Sequence, residues 1–146
     1  MKIAFLGTSA FAVPALAALA EAGHDVACVY TRAPRPAGRG QQERKTPVHL
    51  LADELGLTVR TPRTLKSDEE AQAFKALDLD AAVVVSYGHI LPKSFLDAPL
   101  LGCIMLHKQP DIFVWLCILQ DSTHSRLFDI LNFGWSKECL LPVFHD

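Results

Sequence analysis

The chain has 146 residues, a length that suits one domain able to bury roughly 70% of its unfolded surface. Half of its residues are hydrophobic and 21% are charged, which excludes an intrinsically disordered protein. The net charge of −2 excludes a generally basic nucleic-acid binder, so any contact with nucleic acid must come from a local basic patch.

Two features bear on the cellular compartment. The Ala/Leu-rich start of the chain resembles a signal peptide, but residues 1–23 divide fully into a strand, a turn and a helix, so we expect no secretion. The cysteines form no CxxC pair and no zinc spacing. They are Cys28, Cys103, Cys117 and Cys139. We therefore expect a reduced, cytoplasmic protein that binds no metal. No apolar stretch reaches the ~18 residues that a membrane span needs, so we expect no membrane association. We also expect a monomer, although nothing in the sequence fixes the oligomeric state.

The first predicted element is a compact apolar strand over residues 2–6, closed by Gly7. Thr8 and Ser9 are residue types that cap helices, and Pro14 suits the first turn of the helix that follows. A strand–glycine–helix turn has the geometry that binds anions. The turn in this chain lacks the GxGxxG pattern of dinucleotide-binding folds, so we expect no NAD site.

A second strand over residues 25–31 leads into a basic loop at residues 32–45. Its prolines and glycines predict that the loop has no regular structure. So many cations in one loop suit contact with phosphates, although an ordinary solvated loop is the alternative. The cations are Arg32, Arg35, Arg39, Arg44 and Lys45, and the only acid is Glu43.

Two helices and a short strand follow the basic loop. Thr46 and Pro47 predict the start of one helix, and the capping box that begins at Ser67 predicts the start of another. A short strand over residues 57–59 lies between them. This alternation predicts a Rossmann-like α/β fold, an open and mostly parallel sheet with flanking helices and right-handed crossovers.

Residues 81–107 carry the candidate chemistry. Residues 81–85 form an uninterrupted apolar run, typical of a strand buried on both faces, and lead into a turn-prone loop at residues 86–92. After a predicted helical turn, a second apolar run over residues 100–106 ends on His107. Ligands of open α/β sheets bind outside the carboxyl ends of the strands, so His107 is a candidate catalytic residue. A strand-end histidine bonded to backbone is the alternative.

The composition changes after His107. No alanine follows Ala98, and both tryptophans and half of the phenylalanines lie in residues 108–146. Residues 112–119 form an almost unbroken apolar run with no clear period. Because the change falls inside a strand and its loop, we expect an incomplete domain over residues 1–107 followed by a divergent tail of unknown structure.

Four stretches of the chain match one known family. They are residues 5–14, residues 35–40 with 45–48 in and after the basic loop, the loop at residues 87–92, and the strand at residues 101–107. In these stretches the chain resembles the N-terminal domain of methionyl-tRNA formyltransferases. The resemblance implies transfer of a formyl group from 10-formyltetrahydrofolate to the amino group of methionyl-initiator tRNA, a step of translation initiation.

The resemblance also implies three sets of site residues. His107 takes the catalytic position. The residues that would contact the folate are Ser86, Tyr87, Gly88, His89, Ile90, Leu91 and Pro92. Those that would contact tRNA are Arg35, Arg39, Arg44 and Lys45.

The chain departs from that family around its catalytic histidine. The family has an asparagine two residues before the histidine, where this chain has Met105, which cannot donate a hydrogen bond to an oxyanion. Residues 108–111 replace a substrate loop of the family, and no aspartate in a matching context follows them. We therefore expect a truncated or frame-shifted chain with impaired activity. Two alternatives stay open, a non-catalytic folate- or phosphate-binding module and an artefact of the gene sequence.

Overall fold

A central β-sheet has helices on both of its faces. The computed structural model describes residues 1–40, 42–108 and 113–118, and residues 106–108 and 113–118 enter this description through their backbone. The strands are β1 (Lys2–Gly7), β2 (Asp25–Tyr30), β3 (Arg35–Ala37), β4 (Gln42–Arg44), β5 (Val59–Arg60), β6 (Ala81–Val85), β7 (Cys103–Lys108) and β8 (Phe113–Ile118). The helices are α1 (Val13–Glu21), α2 (Pro47–Glu54), α3 (Asp68–Ala76) and α4 (Lys93–Asp97), and a 3-10 turn at Ala10–Ala12 precedes α1.

The main sheet has the strand order β5-β2-β1-β6-β7-β8. All its neighbouring pairs from β5 to β7 are parallel, which confirms the predicted Rossmann-like α/β fold. The last strand, β8, pairs antiparallel with β7, so that Phe113 lies opposite Lys108. Residues 113–118, within the apolar run noted in the sequence, therefore form a strand of the same sheet.

The strands at the centre of the sheet are buried on both faces. Ile3 and Phe5 of β1 belong to a core with residues of α1 and α2, whereas Ala4 and Leu6 belong to a second core with residues of α3 and α4. Every residue of β6 is buried. Full burial of one such aliphatic or aromatic side chain stabilises a protein by about 1.5–3 kcal/mol. The rigid centre of the molecule is thus β1 and β6.

Two of the three predicted helix caps form in the structure. The backbone N–H of His49 donates to the Thr46 hydroxyl at 3.1 Å, and the Ser67 hydroxyl likewise caps α3, so both predicted caps are confirmed. The hydroxyl of Ser9 makes no capping bond. It donates instead to the hydroxyl of Ser86 at 2.9 Å, because the 3-10 turn that follows Ser9 brings it beside the end of β6.

The prediction that residues 32–45 lack regular structure is wrong. Within them, β3 and β4 form an antiparallel hairpin in which Arg35 pairs with Arg44. Proline is tolerated at Pro36 because both strands of a two-stranded hairpin are edge strands, where a missing N–H can face solvent. Gly38 has a φ of +77°, which glycine adopts without strain and which permits the turn between the strands. Residues 35–44 are called the basic hairpin below.

The short strand predicted at residues 57–59 lies two residues later, at Val59–Arg60. The backbone N–H of Leu57 donates to the Ala52 carbonyl at 2.9 Å and so belongs to the end of α2. Because Leu57 is still bonded to α2, the chain pairs with β2 only from Val59 onward. The start of β5 is therefore two residues later than predicted.

The side chains of Cys28 and Cys103 are buried in the core, as expected of small apolar side chains. Burial raises the pKa of the Cys28 thiol to about 11, so it stays protonated. The side chain of Cys117, all of Cys139 and most of the predicted tail lie outside the described residues. In the part of the chain that the structure describes, no helix is long and apolar enough to cross a membrane.

Candidate active site at the carboxyl edge of the sheet

The strand order places a switch point between β1 and β6. The chain runs outward from β1 to β2 and β5, and then returns to the other side of β1 to form β6 and β7. Open α/β sheets bind ligands outside the carboxyl ends of their strands at such a point. The residues that follow these two ends are Thr8 and Ser9 after β1, and residues 86–92 after β6, here called the 86–92 loop.

Three successive carbonyl groups of the 86–92 loop accept hydrogen bonds from other elements. The backbone N–H of Thr8 donates to the Ser86 carbonyl at 3.2 Å, and its hydroxyl donates to the Tyr87 carbonyl at 2.7 Å. Nη2 of Arg32, just after β2, donates to the Gly88 carbonyl at 2.7 Å. The first half of the loop is therefore fixed by two other strand ends.

Two residues of this loop have left-handed backbone conformations. Gly88 has a φ of +88°, which glycine adopts freely, but Ser86 has a φ of +51° with a side chain present. A residue held in such a region costs roughly 1–3 kcal/mol, and residues of this kind cluster at ligand sites. The hydrogen bonds of the Ser86 carbonyl and hydroxyl to Thr8 and Ser9 offset this cost.

Tyr87 and His89 join the loop to the core beneath it. The Tyr87 side chain is 2% exposed, and its ring centroid lies 5.2 Å from that of His89. Burial raises the pKa of the Tyr87 phenol well above its usual range. Burial lowers the pKa of His89, and the positive charges of Arg32 and Arg35 lower it further. The imidazole is therefore mostly uncharged at neutral pH and can accept a hydrogen bond.

The structure divides the seven predicted folate-contacting residues into two groups. Tyr87 and Leu91 are buried in the core beneath the loop, and Pro92 begins α4 as its N-cap. Ser86 and Gly88 are exposed, His89 is half-buried, and Ile90 is 88% exposed. The exposed residues are the ones that a ligand can reach, and the buried ones hold the loop in place.

His107 lies at the end of β7, beside this loop. Leu106 pairs with Val85 at the end of β6, so the backbone of His107 is level with Ser86. On its other side, His107 pairs with Val114 of β8. The side chain of His107 lies outside the described residues. The sheet thus brings the backbone of the predicted catalytic residue to the edge that carries the 86–92 loop.

Met105 supplies apolar surface at this edge. It is half-buried and packs against the core that contains Tyr87 and Leu91. A thioether has no hydrogen to donate, so this side chain cannot stabilise negative charge on a reacting oxygen.

The basic hairpin leaves the same edge of the sheet. The hydroxyl oxygens of Thr31 and Thr46 lie 2.6 Å apart, so one donates to the other and closes the base of the hairpin. The four cations predicted to contact tRNA, Arg35, Arg39, Arg44 and Lys45, are exposed. Of these, Lys45 forms an ion pair with Asp53 at 2.6 Å, and its hydrogen bond lowers the pKa of that carboxyl group. Among the described residues, the three arginines have no acidic partner.

Sequence reasoning missed Arg32, Thr8 and Ser9 as residues that organise the site. Thr8 and Ser9 were interpreted as helix caps, and Arg32 as one cation of a loop. Their partners in the 86–92 loop are 56 to 79 residues away along the chain. The signal that could have found them is the order of the strands, because β1 and β6 are neighbours.

The described residues contain no group of three or more His, Cys, Asp or Glu side chains that could hold a metal ion. A mostly parallel sheet with flanking helices defines a Rossmann-like α/β domain. The chain belongs to the formyl transferase family, whose model matches residues 1–109.

Curated relatives agree with this family. The chain is 61% identical over 107 residues to methionyl-tRNA formyltransferase of Sphingopyxis alaskensis, covering 73% of this chain and 35% of that protein. It is 58% identical over 107 residues to methionyl-tRNA formyltransferase of Caulobacter sp., covering 73% of this chain and 34% of the relative. The chain thus spans about a third of the length of the curated relatives it matches. The predicted resemblance to the N-terminal part of these proteins is confirmed.

Solved structures show the same fold. Phosphoribosylglycinamide formyltransferase from Bacillus halodurans superposes with a TM-score of 0.54 at 15% sequence identity, covering 90% of this chain and 87% of that chain. Glycinamide ribonucleotide transformylase 1 from Symbiobacterium toebii gives a TM-score of 0.51 at 16% identity, covering 77% and 54%. These two similarities concern the fold alone.

Proposed function

We propose that this chain binds 10-formyltetrahydrofolate at the 86–92 loop, as the formyl-donor domain of a methionyl-tRNA formyltransferase with little transfer activity of its own. The observation that carries the proposal is the hydrogen bonding of three successive loop carbonyls, which fixes the loop at the switch point of the sheet. A loop already held in one conformation binds its ligand without a further cost in chain entropy. Family membership supports a formyl compound as the ligand.

The proposed reaction is transfer of the formyl group to the amino group of methionine on initiator tRNA. The amine nitrogen forms a bond to the formyl carbon, and the bond from that carbon to the folate nitrogen breaks. The amine loses a proton to a base and the folate nitrogen gains one, so a base and an oxyanion donor are both needed. His107 is the candidate base because its backbone lies level with Ser86. Met105 cannot serve as the donor.

A matched pair of substitutions tests the donor site. Ile90 and Leu100 are both highly exposed, at 88% and 82%, but Leu100 lies before β7 at the opposite edge of the sheet. We expect Ile90→Glu to weaken binding of 5-formyltetrahydrofolate, a stable probe, by about tenfold, equivalent to ~1.4 kcal/mol, because it replaces an apolar contact with a charge. Leu100→Glu is expected to bind as the unmodified chain does.

Isothermal titration calorimetry on the three chains measures these affinities. Absence of binding by the unmodified chain would remove the proposed function. Equal affinities for the two variants would show that the probe binds elsewhere on the molecule.

A second candidate function is a binding module that keeps the formyl compound without transferring it. The thioether of Met105 at the position of an oxyanion donor favours this function. Binding is common to both candidates, and turnover separates them.

We propose that the basic hairpin contacts tRNA phosphates. Arg35 and Arg44 are paired directly across the hairpin, and like charges in that arrangement destabilise it unless an anion lies between them. Arg39 is exposed near the turn. Phosphates of a nucleic acid would relieve the repulsion and extend the contact along the hairpin.

The salt dependence of tRNA binding tests this hairpin. We expect Arg39→Ala with Lys45→Ala to weaken initiator tRNA binding at low and moderate salt and to reduce the slope of log K against log salt by about 1–2. The control, Lys2→Ala with Lys75→Ala, removes the same charge at the opposite edge of the sheet. Filter binding over a range of salt concentrations measures both slopes. Unchanged binding by the hairpin variant, or an equal loss in the control, would contradict the proposal.

A further inference from the structure

We propose that Arg32 is a positioning residue that holds the 86–92 loop in its ligand-binding conformation, an inference that rests on the proposed function. Nη2 of Arg32 donates to the Gly88 carbonyl at 2.7 Å. A Cβ atom built on Gly88 would lie 3.0 Å from Nε of the same guanidinium and 3.5 Å from its Cζ. The guanidinium therefore lies directly against the backbone of Gly88, where a larger residue would displace it.

Arg32 extends from a rigid point of the fold. The preceding residue, Thr31, is fully buried, and its backbone N–H donates to the Arg60 carbonyl at 3.1 Å. The Thr31 hydroxyl is hydrogen-bonded to that of Thr46, the residue that caps α2. A side chain positions another group only if its own backbone is fixed, and these bonds fix the backbone from which Arg32 extends.

Arg32 acts on the part of the loop that Thr8 does not reach. Thr8 holds the carbonyls of Ser86 and Tyr87. Within the described residues, the bond to Gly88 is the last one that another element makes to the loop before Pro92 begins α4. The exposed section around Ile90 is therefore held on one side by the Arg32 bond to Gly88 and on the other by the buried side chain of Leu91.

The placement of Arg32 is poorly explained by stability. Its Nε is buried and has no hydrogen-bond partner among the described residues, which costs free energy of folding. Its charge also opposes protonation of the neighbouring His89. A planar guanidinium that donates from Nη2 to the Gly88 carbonyl, with Nε beside the same residue, is suited to fixing geometry, which the compact charge of a lysine cannot reproduce.

Two substitutions at Arg32 distinguish the effect of its positive charge from the effect of its planar guanidinium. We expect Arg32→Met to weaken 5-formyltetrahydrofolate binding about tenfold and to raise the pKa of His89, because a nearby positive charge is removed. Arg32→Lys should keep the pKa of His89 low and still weaken binding, because the planar contact with Gly88 is lost. Arg63→Met removes an exposed arginine elsewhere and should change neither quantity.

Three measurements on these chains test whether Arg32 positions the 86–92 loop. Calorimetry gives the affinity, NMR titration gives the pKa of His89, and amide hydrogen exchange reports the loop in the absence of ligand. We expect faster exchange at residues 89–91 in both Arg32 variants, with unchanged exchange in β1 and β6. If the unmodified chain binds the probe and both variants bind it equally well, the inference is overturned. If the unmodified chain does not bind, the proposed function fails, and unchanged loop exchange would then overturn the positioning role as well.

Discussion

Replacing Gly7 by alanine is expected to lower the free energy of unfolding by about 3 kcal/mol or more, a large part of the stability of a small domain. A Cβ atom at this position would lie 2.8 Å from a ring carbon of Phe5 and 2.9 Å from Cβ of Ala12. It would also lie 2.9 Å from the backbone carbonyl oxygen of Val85 on the neighbouring strand. None of these atoms is the end of a flexible side chain, so β1 would have to move away from β6.

Gly40 provides a matched control in the basic hairpin. A Cβ atom there meets nothing within 4 Å, and the backbone is not in the left-handed region. We expect Gly40→Ala to change the free energy of unfolding by less than about 0.5 kcal/mol. Urea unfolding followed by circular dichroism measures both variants. Equal stability of Gly7→Ala and Gly40→Ala would show that β1 and β6 are not packed as described.

The same substitution also affects the site, because Gly7 ends β1 and is followed by Thr8 and Ser9. Movement of this strand end would lengthen the hydrogen bonds that Thr8 makes to the 86–92 loop. We therefore expect the affinity for 5-formyltetrahydrofolate to fall together with stability in Gly7→Ala and to stay unchanged in Gly40→Ala.

The sequence predicts the local features of this fold well. The uninterrupted apolar run of β6 indicates a strand buried on both faces, because such a strand has no solvent side and needs no polar residue. The caps at Thr46 and Ser67 were predictable because each bond joins residues three apart in the chain. Strand direction followed from the alternation of strands and helices.

The basic hairpin shows where such local reasoning fails. Proline and glycine exclude a central strand, but a two-stranded hairpin has only edge strands, and glycine favours its turn. Residue type alone does not distinguish a hairpin of this kind from an irregular loop. The same cations are exposed in both cases, and the hairpin adds the direct pairing of Arg35 with Arg44.

The organisation of the candidate site could be predicted only in part. The 86–92 loop and His107 are candidates from the sequence because each lies at the end of an apolar run. The contacts that hold the loop join residues 56 to 79 positions apart, and they exist only because β2, β1 and β6 are consecutive strands of the sheet. A helix-capping residue type such as Ser9 gives no sign that its hydroxyl will bind Ser86 instead.

Catalysis is the property in which this chain is expected to differ most from full-length relatives. We expect the unmodified chain to transfer formyl groups from 10-formyltetrahydrofolate to methionyl-tRNA at no useful rate. Loss of one oxyanion donor typically lowers the rate by ~10²–10³-fold, and the Met105 side chain has no N–H or O–H that could donate a hydrogen bond. Residues 108–111 also differ from the substrate loop that the family resemblance implies after the histidine.

Restoring the amide alone is expected to recover little. Met105→Asn places a donor in β7 two residues before His107, and a defect confined to that donor would be repaired by ~10²-fold or more. Catalytic groups that act as a unit fail together, so one group restored without the others has a small effect. We expect the larger recovery when Met105→Asn is combined with a family-type continuation grafted after His107, at least toward small amine acceptors.

Formyl transfer by the unmodified chain, the point mutant and the graft is followed with labelled donor. Replacing His107 by alanine in the graft is the control, and it should abolish the recovered activity if His107 is the base. Recovery of ~10²-fold by Met105→Asn alone would show that the missing amide is the whole defect. Clear turnover by the unmodified chain would contradict the expected loss of activity, and His107 would then need an oxyanion donor other than Met105 as its partner.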